Sequence, residues 1–369
     1  MQALLQNLIY GVQLGSLYAL IALGYTMVYG VLGLINFAHG DVYMVGAYVG
    51  FYACTKWLPF EDITAHPEAA GHNLGLAIVT LILAILLCAM LGMLIERFAY
   101  RPLRNGLQNA DAHFWGFVIA LPLTLRFVTI STPAGMAVWL VIGIAVGYAM
   151  RPVIKHIAKR IKLTSSRLNA LITAIGVSLL LENGGIRIFG ANPNFIPNLL
   201  PERKFTFPCG VSMQSGQLAI LMVSLFLMIS LRYIVLYTKP GKAMRAISYD
   251  IEAAKLMGID TDRVISFTFA LGAGLAGAGG AMIAAFTHIK ITPLFGLQPG
   301  LKAFVAAVLG GAGNIPGAVL GGILMGVAEA FVAGSKYVSY RDAIAFCLLI
   351  LVLLFRPSGL LGKNVVEKV

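Results

Sequence analysis

Few residues in this chain could do chemistry, and those few are scattered through apolar sequence. Asn36-Phe37-Ala38-His39-Gly40-Asp41 sets an amide, an imidazole and a carboxylate close together between two apolar stretches. Two readings stand. The first is a turn leading into a helix capped by Asp41. The second is a broken helix whose exposed backbone groups and His39 line a translocation path. An imidazole titrates near neutral pH, but a lone histidine also serves as a fixed hydrogen-bonding group, so no proton coupling is assigned. The other ionisable groups within apolar sequence are Arg126, Glu182, Arg187 and Glu329. Such groups are expensive in a bilayer and often functional. Arg126 lies late in its stretch and can snorkel to an interface. Glu182 and Arg187 share one helix and are expected to pair with neighbours rather than bind substrate. Glu329 is the most isolated and is a candidate for lining or gating a path. The set is too sparse for a proton relay.

No enzyme constellation accompanies them. There is no Ser/His/Asp series, GxSxG, HExxH or Walker A sequence. Cys54, Cys88, Cys209 and Cys347 form no CxxC pair, which points to neither a disulfide framework nor a zinc site. No metal and no cofactor are expected, and any use of ATP must pass through a partner. Gly272-Ala-Gly274-Leu-Ala-Gly277 satisfies GxGxxG, but a dinucleotide site needs a preceding strand and a later acidic ligand, and the segment sits inside apolar sequence. Gly272, Ala276 and Gly280 recur every four residues, as do Gly317 and Gly321. That spacing lets helix backbones approach closely.

Two further segments stand out. Gly310, Gly311 and Gly313 cluster beside Pro316, a break suited to path-lining backbone. Asp250-Ile-Glu252-Ala253-Ala254-Lys255-Leu-Met-Gly258 carries both charge signs and ends on a glycine stop. It reads either as a solvated surface helix or as a small-residue face that docks into a partner's groove.

The elements that must position these residues are apolar helices. The chain is 59% hydrophobic and 11% charged, whereas a soluble domain carries roughly 25% charged residues. Disordered, collagen-like and nucleic-acid-binding classes are excluded. At about 20 residues per span, the 369 residues allow roughly nine to eleven crossings. The expected fold is an all-α polytopic membrane helix bundle with broken or re-entrant segments, forming a single transmembrane domain over 1–369. Apolar stretches run from Leu4 to Tyr29, Val42 to Trp57, Leu74 to Ile95, Phe114 to Ile130, Gly135 to Met150, Leu168 to Phe189, Leu218 to Val235 and Val264 to Phe286. After interruptions they resume at Leu301–Leu309, Ala318–Val332 and Ala343–Phe355. The first lacks the flanks of a signal peptide and is expected to be a retained span. The net charge of +12 gathers in four basic runs, Arg97–Arg104, Arg151–Arg167, Arg232–Arg263 and Arg356–Lys368. The positive-inside bias makes these cytoplasmic, and the C-terminus with them. The 61–73 and 191–214 intervals then face outward.

Several of these stretches resemble the permease subunits of branched-chain amino-acid ABC importers. They are Leu14–Gly30 leading into Ile35–Asp41, Glu96–Arg104, Ala170–Ser178, Gly241–Ala246 continuing to Gly258-Ile259-Asp260, and Val308–Gly317. The departure is an apolar hairpin and basic loop at 105–165, inserted between Arg104 and Ser165, two positions the family holds almost adjacent. The resemblance implies a second homologous permease subunit, two cytoplasmic ATP-binding subunits and a periplasmic amino-acid-binding protein, all at the bacterial inner membrane. ATP would be used by the partners. It implies a hydrophobic amino acid as cargo and an ATPase-contacting loop at 239–263, with Asp250, Glu252, Ala253, Ala254 and Gly258 at its centre. Asn36–Asp41 and Gly310–Gly317 would line the path. A urea or amide permease is the nearest alternative within the class. A secondary transporter or channel needing no ATPase is a second, and a membrane-embedded enzyme lacks any residues to perform it.

Overall fold

The computed structural model describes residues 2–57, 74–105, 145, 167–195, 199–201, 203–207, 210–287 and 289–362. Most of the 105–165 insertion, together with Arg126 and Cys209, lies outside the described residues. The described chain forms two units, residues 1–93 with 174–369, and residues 94–173. In the second unit, Arg104 Nη2 pairs at 3.0 Å with the fully buried Glu96 carboxylate.

The described elements are helices α1 (Gln2–Leu32), α2 (His39–Tyr52), α3 (Leu74–Ile95), α4 (Arg167–Phe189), α5 (Ser215–Tyr237), α6 (Lys239–Tyr249), α7 (Ile251–Leu256), α8 (Thr261–Phe286), α9 (Leu297–Gly310), α10 (Ile315–Ala333) and α11 (Ala343–Phe355). One small hairpin pairs β1 (Lys204–Thr206) with β2 (Ser212–Gln214). Six described helices are long and apolar enough to cross a membrane, and α9 and α11 are shorter apolar helices. This is an all-α, multi-pass membrane bundle. The hairpin falls in the 191–214 interval, which the charge pattern assigns to the outer side without indicating strands.

α1 is buried on every side from Gly15 to Val28, which a helix apolar all round requires. α10 runs antiparallel along it: Gly11 faces Val327, Gly15 faces Ile323, and Gly30 faces Gly313. α8 packs against α1 and α2, and at Gly280 an added Cβ would lie 2.0 Å from the Tyr43 carbonyl oxygen. Only glycine admits the two backbones there. Gly272 meets the backbone of Gly24, Gly317 that of Gly310, and Gly321 that of Ala306; Ala276 is fully buried within α8.

α3, α4, α5 and α11 expose large apolar side chains such as Leu86, Leu180, Phe226 and Leu354, as surfaces that meet lipid or another membrane subunit do.

Candidate functional site

The two half-length helices carry the site. α2 has 14 residues and continues through a five-residue π-helical turn, Ala53–Trp57. Its 14 residues are about 21 Å long, short of the roughly 30 Å hydrocarbon core. It starts well inside the bundle. His39 rests in the notch left by Gly24, about eight residues or 12 Å before the end of α1. The chain therefore leaves α1, turns at Gly33 with φ +65°, and climbs back before α2 begins. The same construction recurs in the 287–296 connector. It is tied to the 191–195 loop by paired backbone hydrogen bonds between Asn194 and Ile291, each 2.9 Å, and delivers α9 beside α2. The first turns of α2 and α9 touch backbone to backbone, Gly40 against Gly296 and Gly300.

A cavity of about 300 Å³ opens at this meeting. Tyr25, Phe37, Ile175, Leu179, Leu297 and Leu301 supply an apolar wall, and Asp41, Ser178 and Glu182 supply the polar groups. Asp41 is only 2% exposed, and its Oδ2 accepts a 2.5 Å hydrogen bond from the Ser178 hydroxyl. Among the described residues no cation pairs with Asp41 or Glu182. The positive dipole ends of α2 and α9 face the same space, an arrangement that attracts anionic groups. One cavity thus offers carboxylates to a cation, helix N-termini to an anion, and hydrocarbon to an apolar body.

The sequence candidates divide at this site. Phe37, Gly40 and Asp41 line the cavity. Asn36, Ala38 and His39 are buried behind it, with the His39 ring edge-on to Tyr25 at 4.7 Å. The N-cap of α2 is Ala38, not Asp41. Asp41 belongs to the first turn, and its side chain reaches across to α4. Gly310, Gly311, Gly313 and Pro316 are not at this cavity. Gly311 and Gly313 take φ of +109° and +86° at the break between α9 and α10, and Gly313 lines a separate cleft with Gly30, Met244 and Arg245.

Glu329 is not isolated. It is fully buried, its Oε1 accepting from Lys302 Nζ at 2.8 Å and Arg341 Nε at 2.5 Å, and its Oε2 accepting from the Tyr18 hydroxyl at 2.7 Å. Lys302 also pairs with Asp342 at 2.6 Å. Lys302 was overlooked because its neighbours are apolar, although a lone lysine in such a stretch is itself a signal. Ser178 and Glu182 were missed as cavity residues because only the fold brings α4 against Asp41.

At the opposite end of α1 from Asn7 and Gly334, α6 and α7 form the charged segment. The amphipathic pattern of 243–258 predicts one continuous helix, but the chain breaks at Asp250, whose φ of −157° is extended. Its Oδ1 accepts from the Glu252 and Ala253 N–H groups and so starts α7 afresh. Gly258 closes the segment with φ +80°. Glu252 and Lys255 pair in the open at 3.0 Å. Ala254 is buried inward, and Tyr249, Leu256 and Met257 stand outward beside the exposed Glu252, Ala253 and Lys255, with Leu256 at 89% exposure.

The sequence profile described as branched-chain amino acid transport system / permease component matches residues 7–353. The chain belongs to this permease family. It is 36% identical over 368 residues to the high-affinity branched-chain amino acid transport system permease protein LivH of Escherichia coli, covering 99% of this chain and 97% of that one. It is 37% identical over 371 residues to the corresponding permease protein BraD of Pseudomonas aeruginosa, covering 99% and 98%. A probable branched-chain amino acid transport permease protein LivH of Methanocaldococcus jannaschii is 28% identical over 248 residues, 64% of this chain and 75% of its own. No solved structure matches the permease. As a transport-system permease it works with other components of that system, and its chemistry is passage rather than catalysis.

Proposed function

We propose that this chain is one of two transmembrane subunits of an ATP-driven importer carrying branched-chain, hydrophobic amino acids across the bacterial inner membrane. Two cytoplasmic ATP-binding subunits bind and hydrolyse ATP, and the permease needs no cofactor of its own. A periplasmic binding protein delivers the cargo to the face bearing the β1–β2 hairpin. The N-terminus of α1 lies on that face, since the Gln6 amide pairs with the Ser212 backbone at 2.8 and 3.0 Å. The basic C-terminus lies on the cytoplasmic side.

The observation that carries this reading is the cavity where α2 and α9 meet. A zwitterion with a hydrocarbon side chain needs a cation site, an anion site and an apolar wall within one small space. Asp41 with Ser178 and Glu182, the two helix N-termini, and Ile175, Leu179, Leu297 and Leu301 provide them. In the mechanism, ATP draws the ATPase pair together, the exposed surface of α7 carries that movement to the bundle, and access to the cavity alternates between the two faces. The cleft between α1, α6 and the α9–α10 break is where movement of α6 reaches α1.

Uptake of labelled leucine, isoleucine and valine into vesicles containing the complete complex tests the reading. Uptake should require ATP and the binding protein, and excess urea or acetamide should not compete. Uptake by this chain alone, without ATPase subunits, would overturn it. Within the same assay, Glu252→Lys with Gly258→Leu should abolish uptake while leaving membrane insertion intact, and normal uptake would remove α7 from the coupling role.

A further inference from the structure

The cluster around Glu329 divides into two neutral halves. Lys302 and Glu329 belong to α9 and α10 and are buried, their side chains 8% and 0% exposed. Arg341 and Asp342 are neighbours in the 334–342 connector, and their side chains are 46% and 60% exposed. Each half holds one cation and one anion. If the connector withdraws, Arg341 and Asp342 pass into water together. Lys302 stays paired with Glu329, and Tyr18 still donates to the other carboxylate oxygen. The heavy penalty for parting a buried ion pair comes from the charge left behind without a partner. Separation along this line leaves none.

The position of the cluster gives the division a use. Lys302 directly follows Gly300 and Leu301, which line the cavity. Its ammonium bridges Glu329 and Asp342, so one side chain holds the first turns of α9 to both α10 and the connector. The connector leaves α10 where Gly334 packs against Asn7 of α1, at the end away from α6 and α7. We propose that Arg341 and Asp342 are a detachable latch, which holds the α9 wall of the cavity to the connector and on release frees α9 and α10, still paired, to open the cavity toward the β1–β2 face. The importer reading is needed only for what releases it, the docking of the binding protein on that face.

The test uses Arg341→Ala with Asp342→Ala, which deletes the exposed half. In the reconstituted complex, ATP hydrolysis without binding protein should rise at least threefold, and the further stimulation by binding protein should shrink. In vesicles holding the permease, a membrane-impermeant maleimide applied from the β1–β2 face should label Leu301→Cys several-fold faster in the latch-less chain. The rate is corrected for the same chain without the added cysteine. Wild-type rates in both measurements would overturn the latch. Failure of the double variant to fold or assemble would overturn it as well, because the halves are held to separate without stranding charge. Should the unaltered complex show no hydrolysis stimulated by binding protein, the importer reading fails, and the labelling rates alone still decide the latch.

Discussion

Glu329 and Asp41 are both buried carboxylates, yet their surroundings differ in kind. Glu329 has every oxygen occupied, by two cations and a phenol. Asp41 has a hydroxyl and an open cavity. The first arrangement is internally complete, and the second is open to a ligand. Glu329→Gln should therefore act on stability. Asp342 still holds Lys302, so the loss should sit near the lower end of the range for broken buried pairs, about 3 kcal/mol. Denaturant unfolding of the purified chain measures it, and adding Lys302→Met should recover much of the loss. Asp41→Asn should instead leave unfolding little changed and reduce leucine uptake at least tenfold; undiminished uptake would take Asp41 out of the path. The Lys302 hydrogen bond, with further help from the nearby cationic charges, holds the Asp342 carboxyl below the usual carboxylate range. A group with a depressed folded-state value contributes fully above its unfolded value and loses that contribution as pH falls through the folded one. The stability difference between wild type and Asp342→Asn should thus stay constant from pH 7 down to about 4 and vanish only below. A difference that faded between pH 7 and 5 would contradict this assignment.

At the scale of elements, helix contacts rest on missing side chains. Gly280 has the Tyr43 carbonyl where its Cβ would go, whereas Gly176 on α4 has open space. Gly280→Ala should destabilise by about 1–3 kcal/mol, the usual result of overpacking. Gly176→Ala should be neutral or stabilising by up to about 1 kcal/mol. Thermal unfolding of the two variants in detergent checks the pair, and equal effects would refute the packing account. Much of this level was legible in the sequence. The Leu74–Ile95 and Ala343–Phe355 stretches coincide with α3 and α11, because apolar length is written directly into composition. What the sequence did not disclose depends on contacts between distant segments. Asp41 read as a cap because its partner Ser178 lies on another helix. Glu329 read as solitary because Lys302 and Arg341 reach it only after α9 and the connector fold back. The break at Asp250 was hidden because an amphipathic pattern continues across it.

For the molecule as a whole, α1 has distinct devices at its two ends. Near its middle is the Tyr18–Glu329 hydrogen bond, and toward its N-terminus lie the Gln6–Ser212 pairing and the connector at Gly334. Toward its C-terminus lies the cleft shared with α6 and Gly313. The cavity stands between them, so movement at either end reaches it through helices already in contact. Because α1 is buried along so much of its length, it is the axis against which α8 and α10 pack. The basic runs and the two breaks at Asn36–Asp41 and Gly310–Gly317 were visible in the sequence. Their separation into a central cavity and a cleft nearer the α6 end required the fold.

The shortness of α2 also bears on how the protein is made. A segment that cannot reach across the bilayer has no stable resting place there until α8 arrives to cover it, and about 220 residues separate Asp41 from Thr261. At roughly 5–20 residues per second, translation leaves α2 waiting for something like 10 to 45 seconds. For that interval the future cavity is an unfinished surface in the membrane, open to chaperones and to the proteases that clear incomplete chains.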